Sequence, residues 1–320
     1  MLTPKENFTR FFRGEDYEWT PTSEDLLVFR PTFIPDHVCR GSVAQQEPYS
    51  GPYGGIDLFG SEWEFQPANG GSMEVGHQFD DIEDWEDCVK FPDLDSLDWE
   101  GCAKANAEYL STDKLIHTTI YTGFFERLIS FVGFEGAAMA LIDEEQQEEV
   151  VKLFDRLADT YIELIRRFKK YFNIGMVEIH DDWGTQKDLM FSQDIHHELF
   201  VPPIRRITDA AHAMGVFIEQ HSCGKIEKLV PDMIESGVDT WRGQDIVDRK
   251  TLAREYGDRF HFGTVLRVDE PMTDEQAMAK LNQFREDFHG RDIWMAIYGP
   301  YATPALKRML YEDIRKNGKF

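Results

Sequence analysis

From about residue 110 onward, short apolar segments alternate with amphipathic helical stretches, and this rhythm constrains the fold more than any other feature. Lys114–Ile120, Met176–His180, Val216–His221, Val238–Trp241, Phe260–Leu266 and Ile293–Ile297 read as strands, brief and rich in β-branched or aromatic residues. Between them lie helical patterns. The longest opens at Asp143-Glu-Glu-Gln146, which has capping-box form, and carries Val150, Phe154, Leu157, Tyr161, Leu164, Phe168 and Tyr171 on one face. Gly175 stands where a left-handed cap would end that helix. Further helices are predicted from about 195 to 214, from 226 to 235, from Thr273 or Asp274, and from Pro304.

Strand, helix, strand in this order implies parallel strands joined by right-handed crossovers. Asp25–Arg30 adds a seventh strand, and residues 55–67 offer a weak eighth. The count favours an α/β fold of the closed (β/α)8, or TIM-barrel, type over an open doubly wound sheet. No Gly-x-Gly-x-x-Gly follows any strand, which removes the usual dinucleotide-fold marker. No Pro-, Gly- or Ser-rich linker divides the 320 residues, so the expectation is one barrel domain over 1–320 with an N-terminal extension.

A formal charge of -25 argues against nucleic acid and anionic membrane as partners, since both reward a basic face. Asp80, Asp81, Glu83, Asp84, Glu86 and Asp87 concentrate the acid, either as a solvated surface or as a docking patch. No run of about 18 apolar residues is present, and the N-terminus lacks a signal-peptide core, so the expected location is the cytoplasm. The four cysteines (Cys39, Cys88, Cys102, Cys223) show no disulfide-framework spacing.

In a barrel the loops after the strands form the active face. Two strand ends there carry chemistry. In Glu219-Gln-His221-Ser-Cys223-Gly224, alternation puts a carboxylate, an imidazole and a thiol on one side. Those are three zinc-ligand chemistries, and a catalytic zinc uses three protein ligands with one position left open. Glu219 lies one pleat deeper, so it can instead orient the His221 imidazole from behind. In Glu178-Ile-His180-Asp181-Asp182, the alternate residues Glu178, His180 and Asp182 share a side. Consecutive carboxylates at a strand end call for a metal, a substrate hydroxyl, an arginine or the N–H groups of a following turn.

Several segments together resemble the uroporphyrinogen decarboxylase superfamily. They are Asp57-Leu-Phe-Gly60 with Trp63, Gly123-Phe-Phe-Glu-Arg127 followed by Gly133-Phe-Glu135, Asp182-Trp-Gly-Thr-Gln186, the helix containing Pro202-Pro203, His221-Ser-Cys-Gly224 and Leu229–Asp239. The resemblance implies the same barrel. It also divides into two branches. Decarboxylases grip their substrate through an arginine-rich segment after the first strand, and Arg30–Arg40 lacks that motif. Methyltransferases that work with corrinoid proteins hold zinc through His-x-Cys, which His221-Ser-Cys223 matches.

The members that methylate coenzyme M have a further cysteine ligand near the end of the barrel, where this chain reads Ala296-Ile-Tyr-Gly-Pro300. A third zinc ligand must come from elsewhere: Glu219 first on strand geometry, then Cys39 with His37, then Asp182. A carboxylate ligand leaves Zn2+ harder than a second thiolate would, which suits polarising an ether oxygen. The resemblance then implies the first methyltransferase of an O-demethylase system. Such an enzyme takes methyl from a small methoxylated donor to the cobalt of a partner corrinoid protein, with His180, Asp181 or Asp182 orienting substrate or managing a proton. Methyl transfer from a methyl-corrinoid to a thiol is the alternative.

Overall fold

The computed structural model describes residues 1–68 and 70–320. Contacts gather the chain into two compact units that interleave along the sequence, one of 28–111 with 116–238, the other of 1–27, 112–115 and 239–320.

The first unit holds most of the candidate chemistry. Strand β1 (Leu26–Val28) reaches this unit only at its last residue, and three short strands follow, β2 (Gly55–Ile56), β3 (Glu62–Gln66) and β4 (Gly71–Glu74). These three form their own antiparallel sheet in the order β2-β3-β4. The weak eighth strand over 55–67 is therefore a correction: it does not join the parallel set. Its physical reason is one-sided burial. Trp63 is covered while Glu62 and Glu64 face solvent, a pattern that suits an antiparallel ribbon with one wet face rather than a strand buried on both sides.

Strands β5 (Leu115–Ile120), β6 (Met176–His180) and β7 (Phe217–Ser222) lie side by side in parallel. Every residue of β5 is buried, as a strand covered on both faces requires. The register sets Thr119 beside Glu178, then Glu178 beside Glu219 and His180 beside His221. The Glu144–Phe172 helix buries all but one of the face residues anticipated for it (Val150, Phe154, Leu157, Tyr161, Leu164 and Phe168), and Tyr171 is only partly covered. Full burial of each such side chain contributes about 1.5–3 kcal/mol, enough to hold a helix whose surface is strongly charged. Asp143 caps its start by accepting the Glu145 N–H. Its end departs from expectation: Asn173, at φ 51°, takes the left-handed cap assigned to Gly175. Asparagine tolerates that conformation because its short polar side chain bonds locally.

The predicted 195–214 helix is present but composite. A turn of α-helix (Gln193–Ile195) leads through a π segment (His196–Phe200) into Val201–Ala213, with Pro202 in the first turn of the last piece. Proline lacks an N–H, and the wider turn arises next to that gap in the ladder.

In the second unit, β8 (Thr240–Gly243), β9 (His261–Arg267) and β10 (Ile293–Tyr298) run parallel in that order. Thr22 makes a parallel bridge to Met295, whose N–H donates to the Pro21 carbonyl at 2.9 Å. The Pro4–Phe12 helix, closed by a Thr3/Glu6 capping box, packs Phe8 on Trp294 and Phe11 and Phe12 on His261.

Candidate metal centre

The site lies where β6 and β7 end together. Because His180 and His221 are register partners on adjacent strands, their rings stack with centroids 4.5 Å apart and planes 25° from parallel. Past the strands both chains turn. The Asp181 N–H donates to the His221 carbonyl at 3.0 Å, and the Cys223 N–H donates to Asp182 Oδ1 at 2.6 Å. These bonds tie the two loops and bring four donor groups together. Ligand atoms of His180, Asp182 and His221 all lie within 4.8 Å of one another, and Cys223 Sγ is 3.7 Å from His221 Nε2. All four residues are partly exposed, so the centre can be reached from solvent.

Gly224 makes the loop contact feasible. It adopts φ 88°, and a Cβ there would overlap the backbone of Gly184. Only glycine meets both demands without strain. The glycine after the thiol thus lets the β7 loop approach the loop after β6 closely.

Electrostatics favour a cation at this place. Burial, with help from Arg40, pushes His180 down to about 4, so the imidazole is neutral at pH 7 and keeps a lone pair. Burial would raise Asp182, but His180, His221 and the Cys223 N–H together hold it below the usual carboxylate range. Burial and then the Asp182 charge push the Cys223 thiol up to about 12. A protonated thiol beside an ionised carboxylate becomes a thiolate only when a cation shares the site. Two imidazoles, a carboxylate and a thiol are all zinc donors, so these residues fit the metal that the resemblance implies.

The remaining candidates go elsewhere. Glu219 is fully buried one pleat deeper, its Oε2 3.1 Å from His117 Nε2, in a separate group with Glu178. The structure thus brings Asp182, the last of the three third-ligand candidates, beside His221, and not Glu219. Asp181 faces away from the cluster. Its carboxylate accepts the N–H groups of Phe124, Phe125 and Glu126 at 2.8, 3.0 and 2.9 Å, and Trp183 Nε1–H at 2.9 Å. It caps the helix Phe124–Ile142, while burial and the Glu126 charge raise it to about 7. Cys39 is buried on the short helix Pro35–Cys39, where burial followed by Asp36 and Asp57 raises its thiol to about 12. His37 has its ring nitrogens 2.9 and 3.0 Å from the Pro31 and Thr119 carbonyl oxygens. Neither belongs to the His180–Asp182–His221 group.

Three residues at the site, Glu126, Arg40 and Tyr121, carry no signal in the sequence pattern. Glu126 Oε2 lies 3.8 Å from His180 Nε2, and its other oxygen pairs with Arg40 at 2.8 Å. Burial, partly opposed by Arg40, raises Glu126 to about 7. Arg40 also lies over the Trp63 ring at 4.6 Å, while Tyr121 meets the His180 ring at 5.6 Å. Only position marks two of them: Tyr121 and Glu126 follow β5 as His180 follows β6. Of the aromatic residues near strand ends, Trp183 and Trp241 are buried, whereas Tyr298 is exposed.

Residues 124–264, which include the ends of β6 and β7, match the uroporphyrinogen decarboxylase family. The match covers less than half of the chain, and over that segment the sequence is similar to the family. Among solved structures, a methyltransferase from Methanosarcina mazei is similar over 99% of each chain, at 15% identity and a TM-score of 0.66. That likeness shows the fold, an α/β fold of the TIM-barrel type. A 3-keto-D-glucoside 4-epimerase from E. coli aligns over 68% of this chain and 86% of its own, at 11% identity and a TM-score of 0.37, too low to argue from. No curated protein matches the sequence. No helix among the described residues is long and apolar enough to cross a membrane.

Proposed function

We propose that this chain is a zinc methyltransferase of the uroporphyrinogen decarboxylase superfamily that moves a methyl group from a methoxylated, aromatic ether to the cobalt of a partner corrinoid protein. The observation carrying the reading is the convergence of His180, Asp182 and His221 beside Cys223 at the strand ends. His180, Asp182, His221 and Cys223 are the residues that would hold the metal, and zinc supplies a Lewis acid for the ether oxygen. The similar structure from Methanosarcina mazei is a methyltransferase, which accords with the assignment.

The chain's own residues prepare the rest. His180 stays neutral, so its nitrogen remains a donor at physiological pH. Asp182 fixes the Cys223 backbone and keeps the thiol next to His221. Glu126, with a carboxyl titrating near 7 and an oxygen 3.8 Å from His180, is placed to hand a proton to the departing oxygen. Asp181 anchors the helix that carries Glu126 and so acts as a positioning residue. A single thiol among nitrogen and oxygen donors favours ether polarisation over thiol activation.

The test mixes zinc-loaded protein, a reduced corrinoid protein and a methoxybenzoate, and follows methyl–cobalt formation by its visible spectrum. Cobalt methylation that disappears in Cys223→Ala and His221→Ala supports the reading. Methylation of a thiol from the methylated corrinoid, with no ether cleavage, would reverse the assigned direction.

A further inference from the structure

One pleat beneath the candidate centre is a second set of ligand-bearing side chains. His117, Glu178 and Glu219 come from the three adjacent parallel strands β5, β6 and β7. Alternation fixes their place: Glu178 lies two residues before His180, and Glu219 two before His221, so each pair shares a side of its strand. The deeper set therefore sits roughly 6–7 Å from the upper one along the strands.

The deeper set is closed where the upper one is open. His117, Glu178 and Glu219 are 2%, 3% and 0% exposed, whereas His180, Asp182, His221 and Cys223 are all partly exposed. One ligand atom from each of the three lies within 4.8 Å of the other two, and His117 Nε2 is 3.1 Å from Glu219 Oε2. Donors around a tetrahedral zinc lie roughly 3.3 Å apart. His117 and Glu219 already stand near that spacing, and a rotamer adjustment of Glu178 would complete it. His117 Nδ1 is buried without a hydrogen-bond partner, so the ring is held only through Nε2 by Glu219, and a cation between them would replace that single bond. Glu178 and Glu219 are register partners in a dry interior, with the Thr119 hydroxyl 3.4 Å from Glu178 Oε1 and His117 on Glu219, and a divalent cation would offset the repulsion between two such carboxylates.

We propose that His117, Glu178 and Glu219 form a second, buried site for a divalent transition-metal cation, distinct from the candidate centre above it. One imidazole and two carboxylates make a harder donor set than one containing Cys223, suited to zinc, manganese or ferrous iron. Burial makes exchange slow, so the deeper ion enters during folding and resists chelators that strip the upper one. Its role is to hold β5, β6 and β7 in register beneath His180 and His221. The inference stands apart from the functional reading, because none of its ligands belongs to the upper set.

Metal analysis of the full chain, purified from metal-supplemented medium, tests it. The wild type is expected to carry two equivalents, with one surviving prolonged dialysis against a chelator. The His221→Ala/Cys223→Ala double variant should keep one equivalent, and the near-isosteric Glu178→Gln should lose the chelator-resistant one. Because the double variant leaves the deeper residues untouched, it decides the matter even if Glu178→Gln folds poorly. A double variant with no metal overturns the inference. Should the upper assignment alone be wrong, the wild type would hold one chelator-resistant equivalent, which the double variant retains.

Discussion

The Cys223 backbone N–H donates to Asp182 Oδ1 at 2.6 Å, so the carboxylate that follows β6 fixes the thiol that follows β7. One contact thus joins the two strand ends on which the candidate centre depends. Asp182→Asn keeps the shape but removes the charge that balances a cation. Zinc affinity is expected to fall roughly 10- to 100-fold, as for other changes to groups that hold a metal or orient its ligands. Competition with a chromophoric chelator measures it, and unchanged affinity would remove Asp182 from the ligand set.

Gly224→Ala should harm both fold and site. Its φ of 88° is strained for alanine, and the added carbon meets the Gly184 backbone. A loss of about 1–3 kcal/mol in urea unfolding is expected, together with weaker zinc binding as Cys223 is displaced.

Asp181→Ala separates support from ligation. Removing its carboxylate leaves the Phe124, Phe125 and Glu126 N–H groups without their acceptor. Stability should drop by about 1–3 kcal/mol while zinc stoichiometry is kept. Loss of zinc from a folded variant would instead make Asp181 a ligand.

Acid should destabilise the protein through His37. Burial lowers this histidine from 6.5 to about 4, so the unfolded chain binds its proton more readily between those values. The histidine costs no stability above about pH 6.5, and the cost grows as pH falls toward 4, by up to about 1.4 kcal/mol per unit. Asp36, raised to about 6 by burial and by Asp57, acts in the opposite sense, since its protonated form favours the folded state. The clean readout is therefore a difference: His37→Phe should flatten the acid slope relative to wild type in urea melts at pH 4.5, 5.5 and 6.5.

Much of this site was legible in the sequence because it obeys period two. Alternation along β6 and β7 groups Glu178, His180 and Asp182, and groups Glu219, His221 and Cys223, and the structure divides these between two sets, His180, Asp182 and His221 in one and Glu178 and Glu219 with His117 in the other. What alternation could not supply was depth. Glu219 meets His117, a residue 102 positions away, and that pairing depends on the placement of β5 beside β6 and β6 beside β7. Asp182 reaches Cys223 only because both chains turn after their strands, and Gly184 and Gly224 let the turns touch. Glu126 and Arg40 escaped for a related reason, being brought to His180 by loops whose paths leave no periodic trace. The misplaced eighth strand was a matter of neighbours: residues 55–67 are strand-forming, but their one wet face pairs them with β4 in a separate ribbon.

The central claim is that a zinc ion belongs among His180, Asp182, His221 and Cys223. Anomalous diffraction at the zinc edge from crystals grown with zinc tests it most directly. The account predicts a peak about 2.3 Å from Cys223 Sγ and about 2.0–2.2 Å from imidazole nitrogen and Asp182 oxygen. Zinc-replete crystals with no peak between these four side chains would contradict it.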